Sequence, residues 1–192
     1  EKARHAKAAR HAMHKFALCS SEGRAPYLEK KGVRAYGVKF SPSGSLVIPI
    51  ADTHGRIHGL QVIYPEKKQG RDKDFWPAGL AKKSHFHQIG VITDLVLIAE
   101  GYATGASLHE ATGLPVAVAF DAGNLAPVAK AIRHRNRAVR ILICADDDYL
   151  TGDPGVKAAD IAALAVGGHW VKPEFAVDRA GEKITDLNDL HA

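Results

Sequence analysis

Sulfur and aromatic residues are scarce in this chain, which has two cysteines, one methionine and two tryptophans among 192 residues. Cys19 and Cys144 lie far apart and neither stands in a C-x-x-C pair. A zinc ribbon and a disulfide framework are therefore excluded, and a reducing, intracellular setting is expected. No run approaches the roughly 18 consecutive apolar residues of a membrane span, and no charged-then-apolar leader precedes a small-residue cleavage site. A soluble, cytoplasmic chain without a membrane partner is the expectation. The G-x-x-x-x-G-K-[ST] loop that would announce a P-loop ATPase is absent as well. The sequence starts at Glu1 inside a helical pattern, without an initiator methionine, which leads us to expect a piece of a longer polypeptide.

What is present is ordinary for a globular protein: 46% hydrophobic and 24% charged residues, enough to bury a sizeable core. The formal net charge of +5 conceals an asymmetry. Residues 1 to 90 hold 17 basic and 7 acidic side chains, whereas residues 91 to 192 hold 9 and 14. Two units, 1–90 and 91–192, with different electrostatic tasks are expected.

Residues 2 to 19 have high helix propensity but only a thin apolar stripe, Ala9, Ala12, Met13, Phe16 and Ala17. This reads as a solvated basic helix leading in from an upstream domain, with contact to nucleic-acid phosphates as the second reading. His11 and His14 lack a third ligand for a metal. The runs LVIPIA (46–51) and IHGLQVIY (57–64), joined by Asp52-Thr53-His54-Gly55, predict a β-hairpin. Glu66 to Asp74 reads as a polar, basic loop, and Lys67 and Lys68 as its solvated charges. After Gly90 the pattern becomes β-α-β-α-β-α-β, with strands at 94–99, 114–119, 139–145 and 169–171. Helices are predicted at 103–112, at 125–135 with Asn124 as N-cap, and at 154–166 with Asp153 as cap. This alternation implies a parallel sheet flanked by helices, preceded by a small basic mixed α+β unit; the class is α/β, α+β overall.

In such sheets ligands gather outside the carboxyl ends of the strands. Glu100 directly follows the first strand of the second half, and Asp146-Asp147-Asp148 directly follow the third. Alternation along an extended chain lets Asp146 and Asp148 point one way and Asp147 the other. Two carboxylates about 4 Å apart repel by roughly 4 kcal/mol at an effective dielectric near 20. A divalent cation relieves that repulsion, and all-oxygen ligation suits Mg²⁺ or Mn²⁺ acting on phosphates. Thr185-Asp186-Leu187-Asn188-Asp189 reads as a turn or helix cap, or as further carboxylates, Asp186 or Asp189, reaching the same metal.

The strings IAEGYATGASL, LICADDD, GDPGVKAA, GGHWVKPEF and TDLNDLH resemble the Toprim domain of primases, closest to plasmid- and phage-encoded bacterial DNA primases. Upstream, YLEKKGV, LVIPIADTHGRIHGLQVIYP and KDFWPAGLAKKSHFHQIG resemble the basic part of the primase catalytic core. The resemblance implies a Toprim fold in which Glu100, Asp146 and Asp148 are catalytic acids binding Mg²⁺ or Mn²⁺, joined by Asp186 or Asp189. It also implies a tight backbone turn at Gly101 beneath the glutamate. Asp147 between the two aspartates and the longer loop from Tyr149 to Gly155 match the mobile-element branch. The implied activity is that of a DNA primase, a nucleotidyltransferase making short RNA primers from nucleoside triphosphates on a single-stranded DNA template. A replicative helicase is a further partner, through domains outside this chain.

Arg71, Lys73, Lys82 and Lys83 lie in the segment resembling the basic core and are the candidates for holding nucleic acid or triphosphate. Phe75 and Trp76 beside Pro77 read as packing, with base stacking as the other reading. The Arg133 to Arg140 cluster reads as solvent-facing helix-end charge. Two competing functions use the same residues: a Toprim metal-dependent nuclease, and a nucleic-acid-binding module without catalysis.

Overall fold

The computed structural model describes residues 1–147, 152, 154–175 and 185–191, grouped in two compact units, Glu1–His87 and Gln88–Ala192. Among the described residues no helix is long and apolar enough to cross a membrane.

The first unit begins with α1 (Lys2–Leu18) and α2 (Pro26–Lys31) and continues into an antiparallel sheet of β1 (Lys39–Phe40), β2 (Leu46–Ala51), β3 (Ile57–Lys68) and β4 (Arg71–Trp76), in that spatial order. Leu46, Val47 and Ile48 are all buried. Since successive side chains of a strand point to opposite faces, the sheet is covered on both. One cover is α1, which is not the solvated lead-in that its charges suggest. Ala12 packs with Cys19, Val47 and Leu60, and Phe16, Ile57 and Val62 join them. The stripe looked thin because its contact residues are alanines, Ala8 and Ala12, while Met13 stays 45% exposed. Burying Val47 and Leu60 beneath it contributes about 1.5–3 kcal/mol each, more than propensity alone gives a helix of this length.

The hairpin predicted over residues 46–64 forms, but the polar loop predicted after it does not. β3 runs on to Lys68, and Gln69 and Gly70, both at positive φ, turn the chain into β4. The outer part of this second hairpin is exposed, so it carries no apolar alternation from which a strand could be read.

The second unit holds a sheet in the order β5 (His87–Ile89), β7 (Val116–Val118), β6 (Leu95–Ala99), β8 (Arg140–Cys144), β9 (His169–Val171). β7, β6, β8 and β9 run parallel. The near-continuous burial of the central strands β6 and β7 is that of a sheet covered on both faces, while β9 at the edge is largely exposed. The helices α3 (Tyr102–Thr112), α4 (Ala122–Arg135) and α5 (Pro154–Val166) connect the strands, and α6 (Leu187–His191) lies against α3. α4 starts earlier than expected, with Asp121 at its N-cap position. Asn124 is therefore no cap; it lies buried within the first turn and donates its side-chain amide to the Ala119 carbonyl at 2.9 Å. The proposed cap Asp153 falls outside the described residues.

His87 is buried, and its Nε2 lies 2.8 Å from the Tyr36 carbonyl oxygen. Burial pushes its pKa from 6.5 down to about 4, against the pull of the Tyr36 and Pro49 carbonyls in the other direction. The unfolded chain therefore takes up a proton that the native state refuses. Stability is full above about pH 6.5 and falls, by about 3 kcal/mol, as the pH drops toward 4. Urea midpoints of the native protein and of His87→Gln between pH 7 and 4.5 should converge as the pH falls. Parallel curves would disprove this assignment.

Candidate active site

The parallel register pairs Ala99 with Cys144, so β6 and β8 end level with one another and the next residues emerge side by side. Those residues are Glu100 on one strand and Ala145-Asp146 on the other. A Cβ placed on Gly155, in the first turn of α5, would lie 2.6 Å from the Asp146 carbonyl oxygen and 3.3 Å from Glu100 Oε1. The Glu100 carboxylate and the Asp146 backbone thus border the same small volume over the start of α5, and only glycine leaves it open. One oxygen of each side chain, Glu100 Oε1 and Asp146 Oδ1, is buried with no hydrogen-bond partner, while each side chain keeps other interactions. Asp148 lies outside the described residues, and among the described residues no three His, Cys, Asp or Glu side chains form a metal-binding group. The donor set that is described consists of hard carboxylate oxygens in a cradle without a Cβ, which fits Mg²⁺ or Mn²⁺.

Asp147 points elsewhere, as alternation requires. It is 1% exposed, and its Oδ1 lies 3.1 Å from Lys172 Nζ, just beyond β9. The pair ties the end of β8 to the neighbouring strand. The Asp147 amide donates to the Thr185 carbonyl at 2.6 Å, which brings the Asp186–Asp189 motif alongside. There Asp186 Oδ1 accepts the amides of Asn188 and Asp189, and Asp189 Oδ2 accepts those of Thr185 and Asp186. This reciprocal arrangement is a capping box. It starts α6, which Asn188 fastens to Ser107 of α3 by a buried 2.9 Å hydrogen bond. Of the two readings left open for this motif, the helix cap is the one the hydrogen bonds describe.

The chain bends at Glu100 and Gly101 between β6 and α3, but no left-handed conformation is needed there. Gly101 is extended, φ −99° and ψ 154°, and a Cβ there would meet only Thr104 Oγ1 at 3.6 Å. The left-handed residue at this end of the sheet is Phe120, at φ 75°, whose amide donates to the Glu100 carbonyl at 2.8 Å. The next residue, Asp121, sits at the carboxyl end of β7 beside β6. It is a further acid at the functional edge that sequence reasoning passed over; the strand-end rule that singled out Glu100 would have found it. Cys144, one residue inside the edge, is buried, which, with the Asp146 charge beside it, pushes its pKa up to about 12. It stays a thiol and supplies neither nucleophile nor soft ligand.

The basic cluster from Arg133 to Arg140 lies at the opposite, amino end of β8 and is bound into the fold. Arg133 donates to the carbonyls of Val166, Arg137 and Val139, and Arg140 pairs with Asp94 at 3.0 Å.

In the first unit, strand pairing separates residues that are adjacent in sequence. Val47, Val62 and Asp74 share one sheet face with Leu60 and Trp76, the face that α1 covers; Ile63, Lys73, Gln61 and Phe75 share the other. Phe75 and Trp76 are each 38% exposed, so neither is the packing residue expected beside Pro77. Lys82 Nζ stands 4.6 Å over the Phe75 ring, a cation on an aromatic, and so joins Phe75 rather than Trp76. Arg71 instead turns to Asp74, at 2.6 Å. Lys83 is exposed, and its carbonyl lies 2.9 Å from His85 Nδ1. The first hairpin turn is organised by Asp52. Burial would raise its pKa, but hydrogen bonds from His58, from the His54 and Arg56 amides and from the Arg56 side chain outweigh that and hold it well below the usual carboxylate range.

A family model described as Toprim domain matches residues 95–192. DNA primase TraC of Escherichia coli is 35% identical over 188 residues, covering 92% of this chain and 13% of that protein. The chain therefore spans only a small part of that relative. Among solved structures, a DnaG primase catalytic domain bound to ssDNA superposes with a TM-score of 0.64 at 14% identity, over 95% of this chain and 77% of the other. The primase fragment of the bacteriophage T7 primase-helicase protein gives 0.55 at 19% identity, over 85% and 63%. At these identities the structural likeness concerns the fold alone. With the acids at the ends of β6 and β8 on the matched segment, the chain belongs to the Toprim family and carries a Toprim domain of the primase type.

Proposed function

We propose that the chain is the catalytic core of a DNA primase, which joins nucleoside triphosphates into short RNA primers on single-stranded DNA with Mg²⁺ or Mn²⁺ at the ends of β6 and β8. The observation that carries the proposal is the meeting of Glu100 and Asp146 over Gly155. Glu100 and Asp146 are the residues that would hold the metal, with Asp148 as the third ligand and Asp121 as a further acid at the end of β7; Asp186 and Asp189 serve the α6 cap. A bound divalent ion neutralises phosphate charge and favours attack on the α-phosphorus.

The protein's own part is orientation. The Asp147–Lys172 pair fixes the strand end from which Asp146 projects, and the Phe120 amide holds the Glu100 carbonyl. One oxygen of each acid is buried, where a bound divalent cation would offset the cost of holding charge away from water. Single-stranded template, the partner named for the DnaG neighbour, is assigned to cationic side chains of the first unit. Lys73 and Lys82 flank the exposed Phe75, with Lys83 and Arg71 further along the same segment. Phosphates meet the cations and unstacked bases meet the ring.

Single-stranded DNA, labelled ribonucleotides and Mn²⁺ or Mg²⁺ should yield short products. Glu100→Gln and Asp146→Asn should lower the yield by about two orders of magnitude or more, and a chelator should abolish it. Strand cleavage without synthesis would instead establish the nuclease, and binding without either activity the passive module. Gly155→Ala tests the cradle itself. The added methyl forces Asp146 or Glu100 aside, so activity should fall at least about tenfold, with a stability loss of about 1–3 kcal/mol from overpacking. Unchanged activity in Gly155→Ala would remove the geometric basis of the reading.

A further inference from the structure

A cavity of about 460 Å³ opens at the amino end of the second unit's sheet. Leu95 at the start of β6, Arg133 of α4, residues 138–142 leading through β8, and 167–169 at the start of β9 line it. Glu100 and Asp146 follow the opposite, carboxyl ends of β6 and β8, so the cavity belongs neither to the metal site nor to the basic sheet of the first unit. Although this unit is the acidic half of the chain, residues 133–140 hold four arginines and no acid.

Arg133 is the fixed point of the lining. Its Nε donates to the Val166 carbonyl at 3.1 Å, and its Nη1 to the carbonyls of Arg137 and Val139 at 2.7 and 2.5 Å. A guanidinium has five N–H donors in a planar fork. Those three bonds use every hydrogen of Nε and Nη1 and leave Nη2, with two donors and no acceptor among the described residues. The head group is thus oriented before anything binds, which removes most of the ordering cost of an arginine contact. Arg140 shares the lining. Its 3.0 Å pair with Asp94 joins side chains that are 71% and 77% exposed, a pair of little net strength that a better placed anion can replace.

The remaining wall is aliphatic: Leu95, Val139, Ile141 and Leu142. Among the described lining residues the imidazole of His169 is the only ring, so a nucleobase finds no aromatic platform of the kind it stacks on. Arginine forks beside aliphatic surface instead match a carboxylate next to an aliphatic side chain. We propose that this end of the sheet docks an acidic peptide segment of a partner protein, its carboxylates on Arg133 Nη2 and Arg140 and an aliphatic side chain in the cavity. A partner held there leaves the acids at the other end of the sheet uncovered. The inference goes beyond the primase reading and does not rest on it.

The probe is a fluorescein-labelled octapeptide of six aspartates with two leucines at its centre, followed by anisotropy against the whole chain. It should bind saturably, and the same peptide with serines for leucines about tenfold more weakly, because the charge is kept and the aliphatic wall is left empty. Arg140→Gln should weaken the leucine peptide by about tenfold. Arg133→Lys should do the same, since an ammonium keeps the charge but its three donors are taken by the three carbonyls. Asp94→Asn removes the internal competitor for Arg140 and should tighten binding by about twofold, a change of sign that damage to the fold does not produce. Lys73→Gln and Lys82→Gln, in the first unit, should each change it by less than about twofold. No saturable binding, no tightening in Asp94→Asn, or equal weakening by the first unit's variants would overturn the proposal. An oligo-dT strand that displaces the peptide, and whose own affinity falls in Arg140→Gln, would make this a nucleic-acid site and overturn the peptide assignment. Glu100→Gln should abolish primer synthesis and leave peptide binding intact, whereas Arg140→Gln should do the reverse. Peptide binding without synthesis in the native chain would therefore count against the primase reading alone, and synthesis without peptide binding against this docking site alone.

Discussion

The level ending of β6 and β8 is the constraint on which the candidate site depends. Parallel pairing of Ala99 with Cys144 brings Glu100 beside Asp146, two acids that are 46 positions apart in the chain. The start of α5 then has to approach so closely that a side chain at position 155 would collide with the Asp146 backbone. The residues around them serve that arrangement: Asp147 is taken up by Lys172, the Phe120 amide by the Glu100 carbonyl, and the Asp186–Asp189 box anchors α6 on α3. Mutual repulsion of the acids opposes it, and on the proposed reading a divalent cation would offset that cost.

The first unit follows a different logic. Its sheet is held by apolar contacts beneath a helix that is charged on every side but one, and alanine makes this possible because it brings the helix backbone close to Val47 and Leu60. The charges displaced to the rim then surround open aromatic surface. Lysines and arginine beside exposed Phe75 and Trp76 suit a flexible anionic polymer better than a rigid protein partner, since phosphate and base are met by separate, repeated contacts.

Legibility from sequence tracked how strongly a residue's environment was written into its neighbours. The buried parallel strands stand out as short apolar runs, and their carboxyl ends identify Glu100 and Asp146 without any coordinates. The β3–β4 hairpin was hidden because its exposed outer half has no hydrophobic period to display. Asn124 looked like a cap because of its residue type, whereas its amide was needed by the Ala119 carbonyl. At Gly101 the expected turn is made in an extended conformation, and the positive φ belongs to Phe120.

Sequence alone determined the class of fold, the division of charge between the halves and the chemistry of the acids, because these follow from composition and local periodicity. Tertiary structure decided which groups share a space. Strand pairing put Phe75 and Trp76, and Lys73 and Asp74, on opposite faces of the sheet, and the packing of α1 on that sheet brought Lys15 to a cavity that Lys68 and Arg71 also line. Side-chain direction alternates every residue along a strand, and the partner across a sheet comes from a distant part of the chain. Proximity of this kind is fixed only when the strands pair.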